Sequence, residues 1–136
     1  MSGSRVAGLL LFGALLAAPA SGRADALEDC LDSTEVIGDC LAHRQLESIR
    51  RHERVREKVR LLAEQQDAAS SDSKAQAALL AAEQAFDAYL EAACTASGLL
   101  GRGSLPVTAD DLERACKIDL LDERADALES LVQAEP

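Results

Sequence analysis

Aromatic side chains are nearly absent from this chain: of 136 residues none is tryptophan, one is tyrosine and two are phenylalanine. Its core must therefore be filled by aliphatic side chains. No run alternates β-branched and aromatic residues in the manner of a strand, which points to an all-α fold. An apolar stretch of the ~20 residues needed to span a bilayer is missing too. The longest, from Val6 to about Ala18, is shorter and runs into Pro19. No two cysteines have the close spacing typical of structural zinc sites. Lys and Arg number 14 against 24 Asp and Glu, a net charge of −10. That balance argues against nucleic acid and anionic membranes as partners and favours basic proteins or cations.

Catalytic motifs are also lacking. There is no nucleophile elbow, no phosphate-cradling glycine loop ahead of a helix, and no helix-borne histidine pair with a glutamate. Gly101-Arg102-Gly103-Ser104 is too short for a P-loop and has no lysine; its glycines suit a tight turn that needs positive φ. Asp110 and Asp111 sit at a helix start, where they serve as cap and macrodipole partners rather than as an acid pair. His43 and His52 are nine residues apart, which at about 100° per residue puts them on opposite faces of one helix. The expectation is a protein with no enzymatic activity, no cofactor and no metal.

Residues 1–24 read as a secretory signal peptide: Arg5, the apolar run, then small residues around Ala20 and Ala24. Cleavage after either alanine is compatible with that pattern, and Ala24 is taken as the boundary, leaving a domain over 25–136. Cys30 follows Leu27-Glu28-Asp29, unlike a lipid-attachment site, so a periplasmic or secreted protein without stable membrane insertion is expected. Removing the leader takes away Arg5 and Arg23 but no acid, leaving a net charge of −12. In an oxidising compartment the four cysteines make two disulfides, for which sequence permits three pairings.

The remaining chain divides into three helical runs. Asp32-Ser33-Thr34-Glu35 resembles a capped start for the first, which ends near Ala69. Its apolar positions Ile37, Leu41, Val55, Val59 and Leu62 are interrupted by Gln45, Ser48 and His52, beside a basic run that includes Arg50, Arg51 and Arg54. His52 on that stripe is read as a partly buried, satisfied side chain, with a ligand or pH-switch role as the other option. Ser70-Ser71-Asp72-Ser73 supplies turn and cap chemistry before the second helix, Lys74 to Ala96, with Leu79, Ala82, Phe86, Leu90 and Ala93 as its core stripe, Tyr89 alongside, and Gly98 as a stop. Thr108 to Asp111 forms a capping box for the third helix, which runs to about Gln133 and buries Leu112, Ala115, Cys116, Leu121, Ala125, Leu128 and Val132. The fold expected is a small antiparallel three-helix bundle stapled by two disulfides. The acidic residues of the third helix have two options: pairing with the basic half of the first across the bundle, or lying with it as two separately solvated charged faces.

The stretch Glu83 to Leu128, with Phe86 and Tyr89 eight and five positions ahead of Cys94, a glycine-containing loop, Cys116, then Arg124 and Leu128, resembles the N-terminal-type domain of the LprI family of bacterial cell-envelope proteins, some of whose members inhibit lysozyme. Cys30 and Cys40 match that family's first cysteine pair. The chain departs from it at Phe86, where the family usually has tryptophan, and in the first helix around Ser48, His52 and Arg56. The resemblance suggests the pairing Cys30–Cys40 with Cys94–Cys116, which also closes two short local loops, and places Phe86, Tyr89, Arg124 and Leu128 in the structural core.

The resemblance implies an exported inhibitor of lysozyme, a basic muramidase that an acidic surface would attract. The loop residues Leu99, Leu100, Gly101, Arg102, Gly103 and Ser104 are the candidate partner-binding wedge, unless the leucines fold back to cap the bundle. A non-inhibitory adaptor of the cell envelope, working through Arg50, Arg54 and His52, is the alternative.

Overall fold

The computed structural model describes residues 25–101 and 106–134, which form helices and connections with no strand among them. Four helices follow in order: α1 (Ala26–Leu31), α2 (Ile37–Ala69), α3 (Ala75–Leu100) and α4 (Ala109–Gln133). The three long ones make the expected helical bundle. Helix α4 packs along both α2 and α3, while α2 and α3 share less of their length.

Helix α1 was not anticipated. The Asp25 carboxylate accepts from the Leu27 N–H at 2.8 Å and caps it, and Glu28 and Asp29 in its first turn suit the helix dipole. Six residues do not make a stable helix alone. Tertiary bonds hold it: the Ala26 N–H donates to Asp119 Oδ1 of α4 at 3.0 Å, Cys30 is bonded to Cys40 of α2, and Arg44 pairs with Asp29. Burial raises the Asp119 pKa, opposed by the bond from Ala26.

The anticipated cap of the first long helix lies elsewhere. Ser33 Oγ accepts from the Glu35 N–H within the α1–α2 turn, and α2 starts only at Ile37, after Val36, whose side chain caps nothing. In the α2–α3 turn, Ser70 and Ser73 make local bonds, with Ser73 at φ +40°. The cap of α3 comes from Asp67, whose two oxygens accept from the N–H groups of Ala75 at 2.7 Å and Gln76 at 3.1 Å and hold that carboxyl below its ordinary pKa. The box at α4 is as expected: Asp111 N–H donates to Thr108 Oγ1 and Thr108 N–H to Asp111 Oδ2, both at 3.1 Å.

Helix α3 does not stop at Gly98 but continues to Leu100. Gly98 is buried inside it, where a Cβ would stand 2.8 Å from the Ala109 carbonyl oxygen. The glycine is what allows α3 and the start of α4 to approach.

The core is a row of three aliphatic clusters. Cys30, Cys40, Leu41, Ala115 and Ile118 fill the end nearest α1; Leu90, Cys94 and Leu121 with Phe86 fill the middle; Val55, Val59 and Leu128 fill the far end. Cys30–Cys40 and Cys94–Cys116 are the two disulfides, with Cα atoms 5.7 and 5.4 Å apart. The expected α3 stripe needs two corrections. Ala82 is exposed and Glu83 is buried in its place. Tyr89, placed in the core, is 57% exposed. Helix α4 covers the arc of Phe86, Leu90 and Cys94, and Tyr89 lies one helical step outside it.

Candidate functional site

Two places combine unusual chemistry with a defined setting. The first lies inside the bundle. His52 on α2, Glu83 and Phe86 on α3 and Arg124 on α4 converge between the middle and far core clusters. His52 and Glu83 are buried, at 5% and 6% exposure. Glu83 Oε1 accepts from Arg124 Nε at 3.1 Å and Nη2 at 2.5 Å. Its other oxygen faces His52 Nε2 at 3.4 Å, and neither of those two atoms has a hydrogen-bond partner. Phe86 completes the group, its ring 5.5 Å from the imidazole and 5.6 Å from the Arg124 guanidinium carbon.

Burial lowers the His52 pKa from its usual 6.5; Glu83 opposes this, and the positive charges of Arg56 and Arg124 add to it. The reading of His52 as partly buried and satisfied is therefore corrected, since it is buried and its Nε2, though beside the Glu83 carboxylate, makes no hydrogen bond among the described residues. His52 and Glu83 are buried, while Phe86 and Arg124 also line a surface groove beside Tyr89 and Glu123, and the bonds from Arg124 to Glu83 fasten α4 to α3. Glu83 was not singled out as a functional position, although an acid at a core-stripe position beside Phe86 was a visible signal. His43 is exposed, 3.9 Å from Glu35, and no group of His, Cys, Asp or Glu able to hold a metal occurs among the described residues.

The second place is the end of α3. Leu99 and Leu100 are 56% and 86% exposed, so they do not fold back over the bundle. About one and a half turns of helix earlier, Cys94 is fully buried and bonded to Cys116. Lys117 fastens the same region, donating to Glu91 of α3 at 3.2 Å and pairing with Glu113 at 3.0 Å. Gly101 closes the helix with φ −81°, not the positive φ expected of it; the Leu112 side chain packs into the space where its Cβ would be. Arg102, Gly103 and Ser104, the rest of the expected wedge, lie outside the described residues.

The basic run of α2 splits in two. Arg51 reaches α4, bonding Asp126 at 2.6 Å and Glu129 at 2.7 Å, which is the cross-bundle pairing anticipated from the charge pattern. Arg50 and Arg54 remain exposed beside a groove of about 520 Å³ that Arg44, Ser48 and Asp122 also line.

No family model, curated protein or solved structure matches this chain.

Proposed function

We propose that this chain is an exported binding protein that inhibits a basic, lysozyme-type muramidase by placing the Leu99–Leu100 end of α3 in its sugar-binding cleft. The observation that carries this reading is the pair of exposed leucines on a helix end pinned by a buried disulfide. A rigid apolar tip loses little ordering entropy on binding. The acidic net charge supports it by drawing in a cationic enzyme. The signal-peptide pattern of residues 1–24 and the two disulfides fit an extracytoplasmic setting. The likeness of the Cys94–Cys116 hairpin to LprI-type domains supplies the partner class.

The test is hydrolysis of cell-wall substrate by a lysozyme with increasing amounts of the oxidised protein, at low and at physiological salt. Dose-dependent inhibition that weakens with salt and falls roughly tenfold or more in Leu99→Ser/Leu100→Ser supports the proposal. Absence of inhibition across lysozyme classes removes it.

One observation favours a second reading, the non-inhibitory envelope adaptor. Arg50 and Arg54 stand exposed in a groove whose lining sets four arginines against Glu47 and Asp122, in a chain otherwise rich in acids. Such an adaptor loses its partner in Arg50→Ala/Arg54→Ala and is indifferent to the leucines. His52 has no part in it, being buried.

A further inference from the structure

Between α2 and α3 runs a groove of about 570 Å³ whose lining comes from those two helices. That volume falls within the roughly 300–1,000 Å³ of small-molecule sites. Ala77, Leu79 and Leu80 make its lining largely apolar. Leu79 packs against the cluster of Val55, Val59 and Leu128, whereas Leu80 is 60% exposed. The charged groups of the lining are committed elsewhere, with one exception. Glu57 takes bonds from Arg60 at 2.8 and 2.6 Å, Arg60 also pairs with Glu64, and Glu83 is held by Arg124. Arg56, half-buried in the same lining, is the groove's one charge with no ion pair among the described residues. Its positive charge acts on His52, which faces Glu83. Arg56 therefore stands at the Glu83 end, and the apolar residues lead away from it towards Gln76.

We infer that this groove binds a free fatty acid of medium length, with Arg56 holding its carboxylate and Ala77, Leu79 and Leu80 packing along its chain. One cation at the head of an apolar trough matches a molecule with one negative charge and an apolar tail. A guanidinium offers a carboxylate two parallel hydrogen bonds, which fix its orientation. From Glu83 to Gln76 the trough is about 10 Å long, the reach of a medium acyl chain.

Other occupants fit the lining less well. A cationic head would meet Arg56, while the carboxylates that could attract it, Glu57 and Glu83, already accept from arginines. A head with two negative charges, such as a phosphate monoester, would set its second charge beside those carboxylates with no further cation to offset it. A protein helix would find only about two turns of trough to lie on, far short of the roughly 800 Å² per partner of a standard interface. The groove does not rest on the muramidase reading. Leu80 and Leu99 are about 28 Å apart along α3, so the two sites are separable by mutation.

Titration calorimetry of the oxidised protein with octanoate and decanoate, below their micellar concentrations, tests the site. One molecule per chain is expected, with decanoate roughly tenfold tighter than octanoate for its two extra methylenes. Comparison of 1-octanol with octanoate reads the head: the alcohol is expected to bind at least fivefold more weakly. Arg56→Gln is expected to weaken decanoate by a similar factor, and Leu80→Ser by threefold or more, with helicity by circular dichroism kept. Lys58→Gln removes the same charge about 200° round α2, from an exposed position outside the lining, and is expected to leave binding unchanged. Amide shifts on adding decanoate should fall within 56–60 and 76–83 and leave Leu99 and Leu100 unmoved. Binding seen only once micelles form, octanol as tight as octanoate, decanoate binding undiminished in Arg56→Gln or Leu80→Ser, an equal loss in Lys58→Gln, or amide shifts centred on Leu99 and Leu100 would each overturn the proposal.

Discussion

His52 Nε2 and Glu83 Oε2 face each other across 3.4 Å in the interior, both without a hydrogen bond, while the second oxygen of Glu83 takes two bonds from Arg124. The glutamate thus holds its charge against α4, and the histidine is left to fill space beside it. A carboxylate removed from water is costly unless a cation stays with it. This relationship makes the centre of the bundle more sensitive to Arg124 than to the exposed arginines.

Arg124→Met keeps the aliphatic packing on Phe86 but strands the Glu83 charge, and is expected to cost about 3 kcal/mol in urea unfolding. Glu83→Met/Arg124→Met removes both charges and is expected to recover most of that loss. Arg51→Ala breaks the pairs with Asp126 and Glu129, whose side chains are about 40% exposed, and is expected to cost less than about 1 kcal/mol, declining with salt. Equal losses for Arg124→Met and Arg51→Ala would contradict the assignment of Glu83 and Arg124 as the buried fastening.

Stability is expected to fall on mild acidification through His52. Burial sets its folded pKa below 6.5, so just under that pH the unfolded chain binds more protons than the folded one. The contribution of His52 is fully present above pH 6.5 and is lost as pH falls through the window between 6.5 and its folded value. Asp119, with its pKa raised, acts with the opposite sign above pH 3.8, and it does so in wild type and variant alike. The urea midpoint of the wild type should therefore decline more steeply below pH 6.5 than that of His52→Leu; parallel curves would remove the histidine as the cause.

Gly98→Ala sets two effects against each other. Alanine improves intrinsic helix propensity by about 1 kcal/mol. The new Cβ meets a backbone oxygen at 2.8 Å, and the junction of α3 with α4 cannot yield as a flexible side chain would. Overpacking of this kind costs about 1–3 kcal/mol. Net destabilisation by thermal unfolding is expected, against the gain that an ordinary exposed helical glycine would show.

Removal of the disulfides should distinguish the two ends. By chain entropy, loops with separations of 10 and 22 residues contribute about 2.8 and 3.4 kcal/mol. Cys94→Ala/Cys116→Ala is expected to lower the urea midpoint and also to release the C-terminal turns of α3 to faster amide exchange. Cys30→Ala/Cys40→Ala should instead free α1, leaving exchange at Leu99 and Leu100 unchanged.

Much of this fold was legible because it is local. Thr108 and Asp111 are three residues apart, so the cap of α4 is written within one helical turn. The long helices follow from periodicity, and the cysteine pairs from loops short enough to close. The cap of α3 was not legible, because Asp67 reaches across a turn from eight residues upstream. Helix α1 is too short to carry a periodic signal and is held by Asp119, 93 residues away. At the candidate site, the exposed leucines were anticipated as a wedge, whereas the burial of Glu83 was not, since its partner Arg124 comes from α4.

The sequence by itself determined that the described chain is helical, where the long helices lie, and that its surface is acidic, since each depends on residue type and on neighbours within a few positions. The tertiary structure decided which residues at the edge of each apolar stripe turn inward. The line along which α4 settles on α3 puts Glu83 inside and leaves Ala82 and Tyr89 outside, and that line is set by side-chain packing between helices distant in sequence.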